Sequence, residues 1–496
     1  MSERIAGLRI TSKNFLMLGA LLIAAVAFGW YTAQTGFSYK EGIVGLSLLI
    51  GGFVAFGGEP GIRFGFVLWV FTLALGYRTI ELSKDLRIHP AELLLWLLLI
   101  SVLAQRTLMA KIRITLPWWL WLFIPFWALA WWPLIAGDAP WERMLSEFRN
   151  FVLMIPLIVV ASVVLTRPKI WNYLVGAFFL VGTGIALMGV IEYWFPEVAK
   201  MFPAFIKDAK AESTADGFIR AQFSFWGSQT ATFICALSLP LVTVLARWCR
   251  TQLQRIAIVA AAAIQLVGIY IGGYRSIWLM TLIMVMTGLL FGVKRHGLAL
   301  ACLCLVVAVV GYQYVPNSRA RVMSGLAAFQ GVAVDHSTLD RKERALGAVD
   351  QVMASPFGSG WSSAGWVHSD FLQVAVNLGI FAALIFLGGY LHTLFSIARR
   401  VLPVGSRQIA DRDHLGFALF LQFIAVGGLL ALQGVEVLPQ LVLPVWFVWA
   451  LVEVWLKQGA NSPVVEYARI SNDSLPYAEQ LIAAATRVRL DPANRY

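Results

Sequence analysis

Three short stretches carry side chains able to do chemistry on a charged substrate. In "GWVHSDFLQ", His368 stands just ahead of a long apolar run. Asp370 with Gln373 three residues later has the pattern of a capping box, so a helix is expected to begin at Asp370. The positive end of that helix disfavours an imidazolium, leaving a neutral ring competent as a base near pH 7. In "IYIGGYRSIWLM", Arg275 sits at the junction of two apolar runs, and in "DGFIRAQFSFWGSQ", Arg220 opens another. A guanidinium bonds phosphate oxygens through a two-pronged fork. Two arginines beside a neutral histidine match a pyrophosphate leaving group facing a hydroxyl that needs a base. Each residue also has a plainer reading: a solvated loop histidine, or an arginine snorkelling to a membrane interface. Trp361 and Trp366 offer faces for sugar rings or ordinary interfacial anchors.

The acidic residues point away from metal chemistry. The external segments hold no cluster of Asp and Glu with metal-ligand spacing, neither DxD nor HExxH. Asp335, Asp340 and Glu343 lie in a basic segment, where pairing with Arg341 or Arg344 is expected instead of Mg²⁺ binding. No P-loop or GxGxxG precedes a helix, so no nucleotide-driven step, metal or cofactor is expected.

The elements that must position these groups are membrane spans. Hydrophobic residues make up 59% of the 496 and charged residues 13%, with mean hydropathy +0.74, against about 25% charged in a soluble protein. Apolar runs lie near 15–33, 43–58, 62–80, 90–105, 116–136, 150–166, 170–194, 222–246, 255–273, 276–293, 297–315, 371–396, 415–433 and 439–456. This reads as an all-α polytopic membrane protein of about fourteen (12–14) transmembrane helices, each near the roughly 20 residues that cross a bilayer. "TLPWWLWLFIPFWALAWWPL" places Trp118 and Trp119 near one end of a run and Trp131 and Trp132 near the other, the pattern of an aromatic belt at both interfaces. The first run follows Arg4, Arg9 and Lys13 without a good cleavage site and reads as a retained helix. Residues 1–456 form one transmembrane domain and 457–496 a tail. Cys235, Cys249, Cys302 and Cys304 lie in or beside spans, so no disulfide framework is expected.

Basic residues orient the chain. Arg63, the Arg106–Arg113 group, Arg167, Lys169, Arg247, Arg250, Lys294, Arg295, Arg399 and Arg400 fall on the side of the N-terminal Arg4, which places both termini in the cytoplasm. These basic loops account for most of the net charge of +12, and no nucleic-acid partner is expected. Against that rule, cations gather in two external segments. One is 195–222, with Lys200, Lys207, Lys210 and Arg220. The other is the long loop 316–370 before the twelfth span, with Arg319, Arg321, Arg341, Lys342 and Arg344. Cations on the wrong side call for an anionic ligand. "DHSTLDRKERALGAVDQVMASP" has Leu339, Ala345, Leu346, Val349, Val352 and Met353 at helical spacing and a stop at Pro356, so short amphipathic helices are expected in this loop.

"HSDFLQVAVNLG", with nine residues between His-Ser and Gly379, resembles the bacterial O-antigen ligase and polymerase superfamily, and "SPFGSGW" is similar to that family's lead-in. "GGYRS" and "FIRAQFSFWGSQ" resemble its arginine-bearing span entries, although family members often carry Asn-Pro-Asn where this chain has "FWGSQ". The likeness covers about residues 200–395. It implies an inverting, metal-independent glycosyltransferase of the inner (cytoplasmic) membrane, with membrane lipids around it and its active site facing the periplasm. Its donor would be an undecaprenyl-pyrophosphate-linked oligosaccharide. By that likeness His368 would activate the acceptor hydroxyl, Arg220 and Arg275 would hold the donor pyrophosphate, and Arg341 and Arg344 would assist. The expected activity is polymerisation of lipid-linked repeat units into O-antigen or exopolysaccharide. The alternative is a ligase moving glycan onto lipid A-core or a protein hydroxyl. A lipid-oligosaccharide flippase fits less well, because transporters place ionisable residues near the midplane and show matching halves. Here the charges gather at span ends.

Overall fold

A computed structural model describes residues 57–73, 80–81, 87–105, 116–136, 141–200, 212–213, 218–221, 223, 227–249, 251–291, 294–329, 336–361, 363, 367–402, 414–433 and 439–458. The first expected span, nearly all of the second, both termini, Trp366 and nearly all of the 457–496 tail lie outside them.

The described chain is helical throughout its regular parts, apart from two ladders of two-residue strands. The first helices are α1 (Gly58–Thr72), α2 (Pro90–Ala104), α3 (Trp118–Leu129), α4 (Trp132–Ala136), α5 (Trp141–Val152), α6 (Met154–Val164), α7 (Pro168–Trp194) and α8 (Pro196–Lys200). There follow α9 (Gly227–Ser238), α10 (Val242–Trp248), α11 (Gln252–Gly272), α12 (Arg275–Phe291), α13 (Lys294–Tyr314), α14 (Ser318–Phe329) and α15 (His336–Ala354). The last are α16 (Asp370–Leu378), α17 (Ile380–Val401), α18 (His414–Leu432) and α19 (Pro439–Gln458). Strands β1 (Ile80–Glu81) and β2 (Arg87–Ile88) pair antiparallel, as do β3 (Glu212–Ser213) and β4 (Ile219–Arg220). Among the described residues eight helical stretches are long and apolar enough to cross a membrane, or up to nine if the bent pair α13–α14 is one span. The chain is therefore an all-α, multi-pass membrane protein.

Small residues let the central helices approach closely. A Cβ at Gly182 would run into Ser238, and one at Gly268 into Ala186, so α7, α9 and α11 pack backbone to backbone, as apolar spans do where lipid supplies no hydrophobic contrast. Gln265, fully buried in α11, donates to the Phe179 carbonyl (3.1 Å) and the Thr183 hydroxyl (2.8 Å) and accepts from the Ser238 hydroxyl (3.0 Å). Beside this trio, Phe386 of α17 packs among Trp119, Phe123, Phe151, Trp446 and Trp449, with ring centroids 5.7–6.2 Å apart. The paired belt tryptophans are split by this core. Trp118 and Trp132 are exposed, whereas Trp119 is buried. Adjacent residues on a helix point about 100° apart, so both cannot face lipid.

The expected span 371–396 is two helices, broken at Gly379. This residue has φ 96° and ψ 166°, a region open essentially to glycine alone. A Cβ there would come within 2.6 Å of the Phe357 carbonyl carbon, and one at Gly358 within 2.6 Å of the Asn377 oxygen. The loop 356–360 is thus pressed into the break. Ser359 and Gly360 donate backbone N–H bonds to the Val376 and Asn377 carbonyls (2.8 and 2.9 Å), and Ile380 donates to the Pro356 carbonyl (2.9 Å). These bonds satisfy the end groups that two helix termini would otherwise leave bare. The "SPFGSGW" and "HS…G" stretches are two halves of one backbone junction. Gly379→Ala is expected to destabilise the protein by about 2 kcal/mol or more, from the left-handed backbone penalty plus the contact; the thermal unfolding midpoint measures it.

Candidate functional site

The site is assembled where the ends of α9, α11, α12 and α18 meet the loops. Strand β4 brings Arg220 there. The next residue, Ala221, donates its N–H to the Ile271 carbonyl at the end of α11 (3.0 Å). Phe218 and Phe223, both fully buried, plug the strand against the bundle. Phe223 fits only because Gly189 carries no side chain where its ring lies, and Gly272 likewise makes room for Thr232. Helix α11 ends in a left-handed cap at Gly273 (φ 70°), and α12 starts two residues later at Arg275, the near-loopless turn expected from the sequence.

Around that turn the polar groups interlock. Tyr274 shares a hydrogen bond with the Ser228 hydroxyl at the start of α9 (3.0 Å), and the Arg220 guanidinium lies over its ring, 4.5 Å from the centroid. Arg321 of α14, almost fully buried, donates through Nε and Nη2 to the Gly273 carbonyl (3.3 and 3.0 Å). Arg275 Nη1 donates to the Ser324 hydroxyl (3.2 Å), one turn further along α14. Arg341 of α15 donates to the Leu432 carbonyl at the end of α18 (3.4 Å). The adjacent Gln433 donates to the Ser276 hydroxyl and accepts from Gln229 Nε2 (3.3 Å). Burial lowers the pKa of Arg341, and repulsion from Arg220 and Arg321 adds to it. Three guanidiniums thus share one electrostatic neighbourhood.

His368 lies within electrostatic reach of Arg341 and Arg344. Ala348 and Val352 of α15 pack on Ala375 and Val376 of α16 and on Val367, the residue immediately before the histidine. The apolar face expected for α15 is used only along this edge; Leu346, Val349 and Met353 are exposed. The His368 backbone is left-handed (φ 59°), an uncommon conformation for a residue with a side chain, in which histidine is among the enriched types. Its ring is half-buried, and its pKa is pushed down to about 4, first by burial, then by Arg341 and Arg344, with Asp340 opposing. The ring is neutral at pH 7, as expected, although for a different principal reason from the helix end.

Several expectations are corrected or refined. The cap of α16 is Ser369, not Asp370, which is the first helical residue and buried. Gln373 reaches back instead to the Val367 N–H (3.3 Å). Arg344 is bonded through Nε to both Asp340 carboxylate oxygens (2.9 Å each), the intrahelical pairing anticipated. Trp361 is fully buried between Phe148 and Phe151, with centroids 5.8 and 5.7 Å away, and its Nε1 donates to the Trp127 carbonyl (3.2 Å). It has no face for a sugar; it nails the glycine loop to α3. Trp366 lies outside the described residues. Arg321 and Tyr274 were not singled out from the sequence. Tyr274 sits inside "GGYRS", but Arg321 has nothing local to distinguish it from Arg319.

The fold and site together define a multi-pass membrane protein with an arginine cluster and a neutral histidine at the ends of its helices. Compared with known proteins, the chain matches no family model and no curated sequence.

Proposed function

We propose that this protein is a glycosyltransferase that polymerises undecaprenyl-pyrophosphate-linked repeat units at the periplasmic face of a bacterial inner membrane. The observation that carries the reading is the grouping of Arg220, Arg321 and Arg341 near Tyr274, with neutral His368 within electrostatic reach of Arg341. A pyrophosphate diester is the anion whose charge and spread suit several guanidiniums on different elements. An acceptor hydroxyl attacks the anomeric carbon of the donor sugar, forming one C–O bond as the bond to the pyrophosphate oxygen breaks. The hydroxyl proton passes to the His368 ring, and the arginines, with Arg275 beside them, hold the charge that collects on undecaprenyl pyrophosphate. A single displacement inverts the anomeric centre.

In the free protein the His368 ring is neutral but a weak base. Burial is the larger cause of that weakness; a pyrophosphate bound among the arginines offsets the second, the repulsion from Arg341 and Arg344. Its basicity then rises when donor is present, nearer the working pH where proton transfer is most effective.

The test is reconstitution of the purified protein with undecaprenyl-pyrophosphate-linked repeat units, with product length read on gels. A ladder of lengthening chains is the expected result, and an untouched donor pool overturns the reading. The same donor and face serve a ligase to lipid A-core. In cells, loss of a polymerase leaves a single repeat on the acceptor, whereas loss of a ligase leaves long chains on undecaprenyl pyrophosphate.

A further inference from the structure

We propose that the isoprenoid tail of the donor runs in the groove walled by α11, α12 and α13 and closed at one end by α14, an inference that rests on the donor class proposed above. The groove is a cavity of about 630 Å³, its lining almost wholly apolar, with Tyr270, Trp278, Thr281, Met286, Tyr312 and Val322 among its walls. That volume falls within the roughly 300–1,000 Å³ typical of sites for small ligands.

Its position relative to the arginines is what assigns an occupant. Val322 follows Arg321, so one turn of α14 presents a cation to the Gly273 carbonyl and an aliphatic wall to the groove. Trp278 lies one turn after Arg275 on α12, stacked face to face on Tyr270 at 4.9 Å and 10°. The Tyr270 hydroxyl is in turn hydrogen-bonded to Ser318, the first residue of α14. Arg319 sits over the Tyr312 ring at 5.4 Å, placing another cation at the same end. Helices α13 and α14 meet at 112°, which lays α14 across the end of the groove. A ligand with a pyrophosphate head and a long apolar tail fits both parts at once.

Recognition of the tail must come from shape, because bilayer chains are as apolar as the groove and offer no hydrophobic contrast. Fixed aromatic walls favour a chain already stiffened by planar double bonds and methyl branches over a flexible acyl chain, since less freedom is lost on binding.

The test uses full-length protein in nanodiscs of phosphatidylethanolamine and phosphatidylglycerol, binding undecaprenyl pyrophosphate or inorganic pyrophosphate, with Ala308→Phe and Leu305→Trp as variants. Both positions line the groove and are exposed, so the fold tolerates larger side chains there. Each variant is expected to weaken undecaprenyl pyrophosphate about tenfold, the scale of a misfit in an apolar pocket, and to leave inorganic pyrophosphate unchanged. Wild-type affinity of both variants for undecaprenyl pyrophosphate overturns the proposal. So does displacement of that ligand by raising the phosphatidylglycerol fraction, which would mark an acyl-lipid groove. Tail-dependent binding without glycosyl transfer would refute the glycosyltransferase reading alone. Transfer by Ala308→Phe at wild-type donor KM would refute the groove alone.

Discussion

His368→Asn is expected to lower kcat for glycan transfer by about 10²–10⁴-fold, the usual worth of a positioned general base, with donor KM little changed. Asparagine is the informative substitution because the backbone at this position is left-handed. Among residues other than glycine, asparagine tolerates that conformation best, so the loop keeps its shape while the proton acceptor is lost. Alanine removes the ring but also adds backbone strain, and its effect would mix two causes. Binding of undecaprenyl pyrophosphate by His368→Asn supplies the control, since the arginines remain. Transfer at the wild-type rate by a well-folded His368→Asn protein would exclude a catalytic role for the ring.

The second large effect is expected at Arg341, which couples the cluster to the histidine. Arg341→Gln should raise donor KM by about 10–100-fold, following the roughly 1.5–3 kcal/mol of a hydrogen bond to a charged group. It should also move a pH limb. In the wild-type protein the acid limb of kcat/KM reports the free enzyme and is expected near 4, well below the ordinary histidine value of 6.5. The limb of kcat reports the donor complex, where the bound pyrophosphate offsets the arginines, and is expected higher. Removing the Arg341 charge relieves part of the repulsion on an imidazolium, so the kcat/KM limb should rise. An unmoved limb would show that the two side chains do not communicate. The stability consequence has a definite sign. Because the folded pKa is depressed, the unfolded chain takes up the proton more readily. The contribution of His368 to stability is therefore complete above about 6.5 and is lost as pH falls through about 4.

How the site could be found in the sequence depended on what each residue's local pattern encodes. Arg275 was visible because it interrupts two apolar runs at "GGYRS", and a cation in such a place is conspicuous. Arg321 was not, since Arg319 stands two positions away in the same basic segment. Two positions on a helix are about 200° apart, so the pair face opposite sides, one to the Gly273 carbonyl and one to Tyr312. Which side faces the cluster is set by the 112° bend between α13 and α14, and no local pattern encodes that angle. Trp361 misled for a related reason: its type suits an interface, a sugar or a core, and only the packing of α3 and α5 around it chose the core.

By itself the sequence determined that this chain is a helical membrane protein, because runs of apolar residues in lipid must satisfy their backbone bonds internally. It also determined the turn at Gly273, which lies between two apolar runs and occupies a backbone conformation that side chains resist. The tertiary structure decided which of the many loop cations converge, and that the His368 ring is neutral through burial and the charges of Arg341 and Arg344 more than through its helix. It also decided that the glycine-rich loop closes on the break in the last apolar stretch before α18. These outcomes depend on distances between residues more than two hundred positions apart, such as Gln229 and Gln433. Periodicity along the chain carries the direction of each side chain about its own helix, and the packing of helices against one another supplies the rest.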